Sequence, residues 1–308
     1  MRNSTLTIIA VAFFSLTGCE DFFERDVEVD IPEHEPKLVM YSYIYPGDSI
    51  QIILSNSVGI EKSHDIWNSW ISDAQVTVQK GDETSVLASL NVKDEYQPYF
   101  VAYPEINSGD RFRISASVNG YESVVAEVMV PMEPVIENAK FTGVRLDEEG
   151  EEQAGFNFKI TDEKDADNFY EIIILNRYSP EGETPWFDLG AWNYSSFLPW
   201  MNESNPNFSD RLFFTDNAFK DGEITIDFLA GVWDLIYGYD QPDVELFLAI
   251  RSVSESYYEY VTTYSLHQGN QFPDLFTGEP VPMYTNVENG FGVFGAFSET
   301  RIKIDVSD

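Results

Sequence analysis

The chain has 308 residues, of which 43% are hydrophobic and 15% aromatic, enough apolar material for a packed core and too much for a disordered acidic protein. Its 53 acidic against 18 basic residues give a net charge of −35. Such a surface repels phosphate, which excludes nucleic acid as a partner, and it disfavours electrostatic adhesion to anionic lipid.

The N-terminus reads as an export signal. Arg2 precedes an apolar run from Leu6 to Phe14, and Leu16-Thr17-Gly18-Cys19 follows. A basic start, a short apolar core and a small residue before the cut describe a secretory leader. The run falls short of the roughly 20 residues needed to span a bilayer. Cysteine directly after the cut is the acceptor of a bacterial lipoprotein's lipid, so residues 1–18 are expected to be removed and Cys19 to carry a diacylglycerol or other acyl lipid. Cys19 is also the single cysteine of the chain, which leaves no disulfide and no thiolate chemistry. No other cofactor and no metal are expected.

Residues 19–36 form an acidic tether closed by Pro32 and Pro36. Short strands begin at Lys37. Leu38–Ile44 and Ser49–Leu54 flank the turn cluster Pro46-Gly47-Asp48. Ala74, Val76 and Val78 alternate with polar residues, as do Phe112, Ile114, Ala116 and Val118, which marks half-buried strands. Asn119-Gly120 suits a tight hairpin with Tyr121–Val130 as its return strand. About seven short strands in this stretch argue for a transthyretin- or immunoglobulin-like β-sandwich over residues 37–131. Pro131-Met132-Glu133-Pro134 then interrupts any ladder and is the expected domain boundary.

Residues 132–308 read as a larger β-sandwich. Val135–Val144, Ala154–Ile160, Tyr170–Asn176, Glu223–Phe228 and Val244–Val253 are its strands, and Ile302, Ile304 and Val306 alternate as a closing strand. One segment departs from this pattern. Tyr257, Val261 and Tyr264 recur at helical spacing, with Ser254 as N-cap and Gly269 as stop, which predicts one amphipathic helix near 255–268. The fold class is therefore mainly β, two sandwiches and one helix.

Chemistry is sparse. No nucleophile elbow, phosphate loop or zinc-protease motif is present. His34, His64 and His267 share no metal-ligand spacing. Asp162–Asn168 clusters oxygen ligands but lacks the glycine and distal glutamate of a calcium loop, so a solvated turn is the simpler reading. Aromatic residues crowd the stretch Pro185–Phe208, where Trp186, Trp192, Tyr194 and Trp200 stand without periodicity. Two explanations stand side by side: a lid folded on its own sheet, or a partner or ligand surface. Trp67 and Trp70 invite the same pair of readings. The chain is read as non-catalytic, with a hydrolase the weakest alternative.

The stretch Glu279-Pro280-Val281-Pro282-Met283-Tyr284-Thr285-Asn286-Val287-Glu288-Asn289-Gly290-Phe291-Gly292-Val293-Phe294-Gly295-Ala296-Phe297 resembles the signature of domain-of-unknown-function family 4249. Ser256-Tyr257-Tyr258-Glu259-Tyr260 resembles its helix start, and Pro36-Lys37-Leu38-Val39 its opening. The glycines of the long motif suit a close backbone approach and its phenylalanines a core, so it reads as structural. The resemblance implies a Bacteroidota outer-membrane lipoprotein, encoded beside a TonB-dependent transporter and assisting nutrient uptake. It also implies display on the cell exterior, with Glu20 and Asp21 fitting loosely as an export signal. The alternative is a stand-alone surface lipoprotein that binds glycan or peptide.

Overall fold

The computed structural model describes residues 33–59, 69–83, 86–91, 98–161, 167–178, 187–196, 211–218, 222–232, 244–269 and 281–305. Contacts divide the chain into Met1–Glu35 and Pro36–Asp308. The leader, Cys19, the tether as far as residue 32, Trp67, Trp186 and Trp200 lie outside the described residues.

Strands dominate. They are β1 (Leu38–Ile44), β2 (Ile50–Asn56), β3 (Gln75–Lys80), β4 (Val86–Leu87), β5 (Ser89–Asn91), β6 (Tyr99–Ala102), β7 (Arg111–Ser117), β8 (Val124–Met129) and β9 (Val135–Leu146). They continue as β10 (Glu152–Thr161), β11 (Phe169–Tyr178), β12 (Phe187–Gly190), β13 (Trp192–Ser196), β14 (Leu212–Thr215), β15 (Glu223–Gly231), β16 (Val244–Val253) and β17 (Phe291–Ile304). One α-helix is described, α1 (Glu255–Gly269). A nine-stranded sheet runs β12-β11-β16-β17-β1-β2-β6-β5, with β14 also on β11. Two four-stranded sheets run β4-β3-β7-β8 and β13-β15-β10-β9.

The large sheet is joined at its centre by β1 and β17, which pair in parallel from Val39↔Phe291 to Ile44↔Ala296. Gly292 makes this approach possible. Its φ is +106°, and a Cβ there would collide with the carbonyl of Met40, its cross-strand partner. From Phe297 onward β17 pairs instead with β16, antiparallel, as far as Ile304↔Leu246.

Period-two alternation then sorts the side chains. On one face, Met40 and Ile44 with Phe294 and Ala296 pack against Val76, Phe112, Ile114 and Ala126 of the β4-β3-β7-β8 sheet. Farther along the same face, Ile172, Leu248, Ile250 and Ile304 pack against Phe156, Phe158, Ile226 and Phe228 of the other small sheet. Two polar residues interrupt this apolar row on β17, and they mark where the proline linker crosses. Ser298 Oγ donates to the Pro131 carbonyl at 2.6 Å and Thr300 Oγ1 to the Pro134 carbonyl at 2.8 Å. The boundary expected at residues 131–132 is thus a crossing between two cores, both of which share the nine-stranded sheet.

α1 covers the opposite face. Tyr257 meets Tyr43 edge-on at 5.1 Å and Tyr260 meets Tyr41 at 5.9 Å, pairs worth about 0.5–1.5 kcal/mol each beyond their burial. Ser254 is the N-cap: its Oγ accepts the N–H of Tyr257 at 3.2 Å and that of Ala296 at 3.0 Å. The buried stripe differs by one turn from its sequence reading. Tyr257, Tyr260 and Val261 face the sheet, whereas Tyr264 is 42% exposed, because Tyr41 draws Tyr260 inward.

The strands expected at 38–44, 135–144, 154–160, 170–176 and 244–253 are present within a few residues. The stretch read as an aperiodic aromatic loop is different: it contains β12 and β13. β12 extends the large sheet beside β11 and β13 extends the small sheet beside β15, with buried Ala191 between them. A strand that changes sheets in mid-course shows no steady alternation, which is why none was legible.

Gly292→Ala is expected to lower stability by about 3 kcal/mol or more, through the strained φ and the collision with Met40. Urea unfolding measures this. An unchanged midpoint would show that the β1–β17 pairing does not depend on the missing side chain.

Candidate functional site

The helix-covered face of the large sheet carries a row of alternating charge. β11 pairs Glu171 with Arg251 on β16, and β16 pairs Arg251 with Glu299 on β17. Glu171, 0% exposed, lies inside the apolar run Tyr170–Leu175. Its Oε1 accepts from Arg211 Nη1 at 3.0 Å. Its Oε2 accepts from Arg251 Nη1 at 3.0 Å and from the Tyr257 hydroxyl at 3.1 Å. Arg251 Nε donates to Glu299 Oε2 at 2.8 Å, and Arg301 Nε donates to Glu299 Oε1 at 3.0 Å. Desolvating a carboxylate costs several kcal/mol, and here two guanidinium groups and a hydroxyl offset it.

The row shifts the groups around it. Burial opposes the charge of Arg251, but Glu171, Tyr257 and Glu299 together outweigh it and raise the pKa. Burial, and then the Glu171 charge, pushes the Tyr257 hydroxyl well above its ordinary value near 10. Tyr43 and Tyr260 are raised as well, burial being the main cause in each.

The exposed end of the row opens into a cleft of about 410 Å³, lined by Tyr45, Pro46, Glu133, Arg251, Phe297, Glu299 and Arg301. It sits where β1 ends and the turn after Ile44 leaves β17. Phe297 stacks on Tyr45 at 4.7 Å and 22°, and the Arg251 guanidinium lies 4.4 Å from the Phe297 ring centre. The Tyr45 hydroxyl donates to Asp48 Oδ2. That bond is the first cause of a raised Tyr45 pKa and of an Asp48 carboxyl held below its usual range.

The residues singled out from sequence lie elsewhere. Tyr194 is 8% exposed in the second core, where its hydroxyl oxygen accepts the N–H of Ile174 at 2.6 Å and its ring parallels Phe228 at 6.3 Å. Trp192 is half-buried against Gly231, where a Cβ would meet its indole at 2.6 Å. Trp186, Trp200 and Cys19 fall outside the described residues, as does most of the Asp162–Asn168 turn. Of the histidines, His267 donates from Nδ1 to the Val281 carbonyl at 2.9 Å. Among the described residues no group of three or more His, Cys, Asp or Glu could hold a metal ion, and no helix is long and apolar enough to cross a membrane.

The cleft residues went unnoticed in the sequence, although a signal was there. In the closing strand Ile302 and Ile304 alternate with Glu299, Arg301 and Lys303, and the first two of these charged residues line the cleft.

The architecture is that of a mainly β protein of several packed sheets, with one helix lying over an ionic row. The chain belongs to the family described as Domain of unknown function (DUF4249), whose model matches residues 24–303. No curated protein matches it. Among solved structures, a crystal structure of a DUF4785 family protein from Legionella pneumophila is similar at 9% identity. That likeness covers 70% of this chain and 52% of the other, with a TM-score of 0.25, too low to carry any argument.

Glu171→Ala leaves two guanidinium groups facing a void and is expected to cost about 3–5 kcal/mol in chemical unfolding. A loss below about 1 kcal/mol would mean that the row adds nothing to the fold. A second expectation concerns pH. Tyr43, Tyr257 and Tyr260 titrate higher folded than unfolded, so their contribution is complete below about pH 10 and is lost as pH rises toward the folded values. Thermal stability should therefore fall above about pH 10, and Tyr257→Phe should flatten that fall. Identical slopes in the two proteins, followed by circular dichroism, would exclude Tyr257 as a source.

Proposed function

We propose that the chain is a lipid-anchored protein of the outer membrane, facing the cell exterior, that serves a TonB-dependent transporter as a non-catalytic accessory in nutrient capture. The observation that carries this reading is the leader ending in Leu16-Thr17-Gly18-Cys19. Membership of the DUF4249 family is consistent with it, since the resemblance to that family implies the transporter context. The strongly acidic surface supports attachment through acyl chains instead of charge, at about 0.8 kcal/mol per buried CH₂.

The ionic row supports binding over catalysis. A general acid or base needs an oxygen within reach of substrate and a pKa tuned to its task. Glu171 and Glu299 each spend both oxygens on guanidinium groups of the same fold.

Cys19→Ala should move the folded protein from the membrane fraction to the soluble one, and its retention in the membrane would refute the lipid anchor. Purification of the wild-type protein from native membranes in mild detergent should bring a transporter barrel with it. Repeated recovery without any barrel would sink the accessory role.

A further inference from the structure

We propose that the cleft at the end of the ionic row binds a zwitterion, a free amino acid with an apolar or aromatic side chain. This does not rest on the accessory reading, because the walls of the cleft are side chains of the large sheet and the linker.

The lining is neutral: Arg251 and Arg301 are matched by Glu133 and Glu299. Its charges are not all committed to one another. Glu299 is, since it accepts from Arg251 through one oxygen and from Arg301 through the other. Glu133 is exposed and, among the described residues, makes no hydrogen bond or ion pair. Its backbone is nevertheless held in place. The carbonyls of Pro131 and Pro134 on either side accept from Ser298 and Thr300 of β17, and the two prolines stiffen the strap. Arg251 uses Nη1 for Glu171 and Nε for Glu299, and neither bond uses Nη2. A guanidinium carries five N–H donors in one plane, so this clamped side chain keeps donors for a further acceptor.

β17 keeps the two groups apart. Ser298 and Thr300 point toward the linker, while Phe297 and Glu299 alternate onto the helix-covered face with Arg251. A carboxylate thus reaches the cleft from one face of the strand and a guanidinium edge from the other. Separated charges of opposite sign match the ammonium and carboxylate of an amino acid, each through a charge-assisted hydrogen bond. A zwitterion also has no net charge for a chain of −35 to repel. Tyr45, 37% exposed and backed by Phe297, offers a flat apolar wall for the ligand's side chain. The volume of about 410 Å³ lies at the small end of small-molecule sites, which run from about 300 to 1,000 Å³.

Calorimetry on the full chain in detergent micelles, in amine-free buffer, tests this with three probes. Phenylalanine carries both charges, N-acetylphenylalanine only the carboxylate, and phenylalanine amide only the ammonium. Phenylalanine should bind at least about tenfold more tightly than either of the others. Glu133→Gln, at an exposed side chain without a partner, should leave the thermal midpoint unchanged and weaken phenylalanine at least about tenfold. Tyr45→Ser, on the exposed rim, should weaken it as well. Three results would overturn the proposal: no heat from phenylalanine up to about 10 mM, a preference below about tenfold over either singly charged probe, or an affinity that Glu133→Gln leaves untouched. None of them bears on membrane attachment through Cys19 or on recovery of a transporter barrel.

Discussion

Everything else in this fold depends on β1 and β17 lying parallel and in contact. β17 holds β1 with its first six residues and β16 with its last eight, so one strand stitches the two halves of the large sheet together. A strand that changes partner midway leaves one flank open in each half. The first open flank is closed by side chains. Asn286 Oδ1 accepts the N–H of Phe294 and its Nδ2 donates to the Phe294 carbonyl, both at 2.9 Å, in the manner of a paired strand residue. Ser256 Oγ donates to the same carbonyl, and Ser254 serves Ala296 while capping α1. Each such bond is worth about 1 kcal/mol net, but leaving the buried backbone group unpaired would cost more. The motif of residues 279–297 is explained by this task. Its glycines admit the neighbouring strand, its phenylalanines fill core, and its asparagine stands in for a strand that is not there.

The second open flank begins where β1 ends and Tyr45 and Pro46 turn away. The cleft lies there, with Tyr45 and Pro46 among its walls. The ionic row ends at this place for a related reason. α1 dries the face over Glu171, and a buried carboxylate must be paired by groups on the strands beside it. Arg251 is the cross-strand neighbour and Glu299 the next, so register alone carries the alternation toward the flank that β1 has vacated.

Much of this was legible in the sequence where a strand keeps one face to solvent. The alternations around Val76, Phe112 and Phe156 each gave a strand, and Asn119-Gly120 gave the hairpin between β7 and β8. The helix was legible because Ser254 and Gly269 punctuate it. Legibility failed where tertiary partners decide. Glu171 was visible as an acid inside an apolar run, but its partners Arg211 and Arg251 lie 40 and 80 residues away, beyond any local pattern. Whether Trp192 and Tyr194 folded onto their own sheet or faced a partner stayed open because β13 is short and Gly231 and Ile174, which receive them, belong to distant strands.

The row also poses a question of economy. Apolar residues of similar volume in place of a buried ion pair are often neutral or stabilising, so stability alone gives Arg251 and Glu299 no advantage over a packed hydrophobic pair. An apolar pair could not hold a guanidinium in a fixed plane at an opening of the sheet. Arg251 is clamped from two sides, by Glu171 beneath the helix and by Glu299 on β17, and it rests on the Phe297 ring. A side chain held by that many contacts has lost its rotamer freedom during folding.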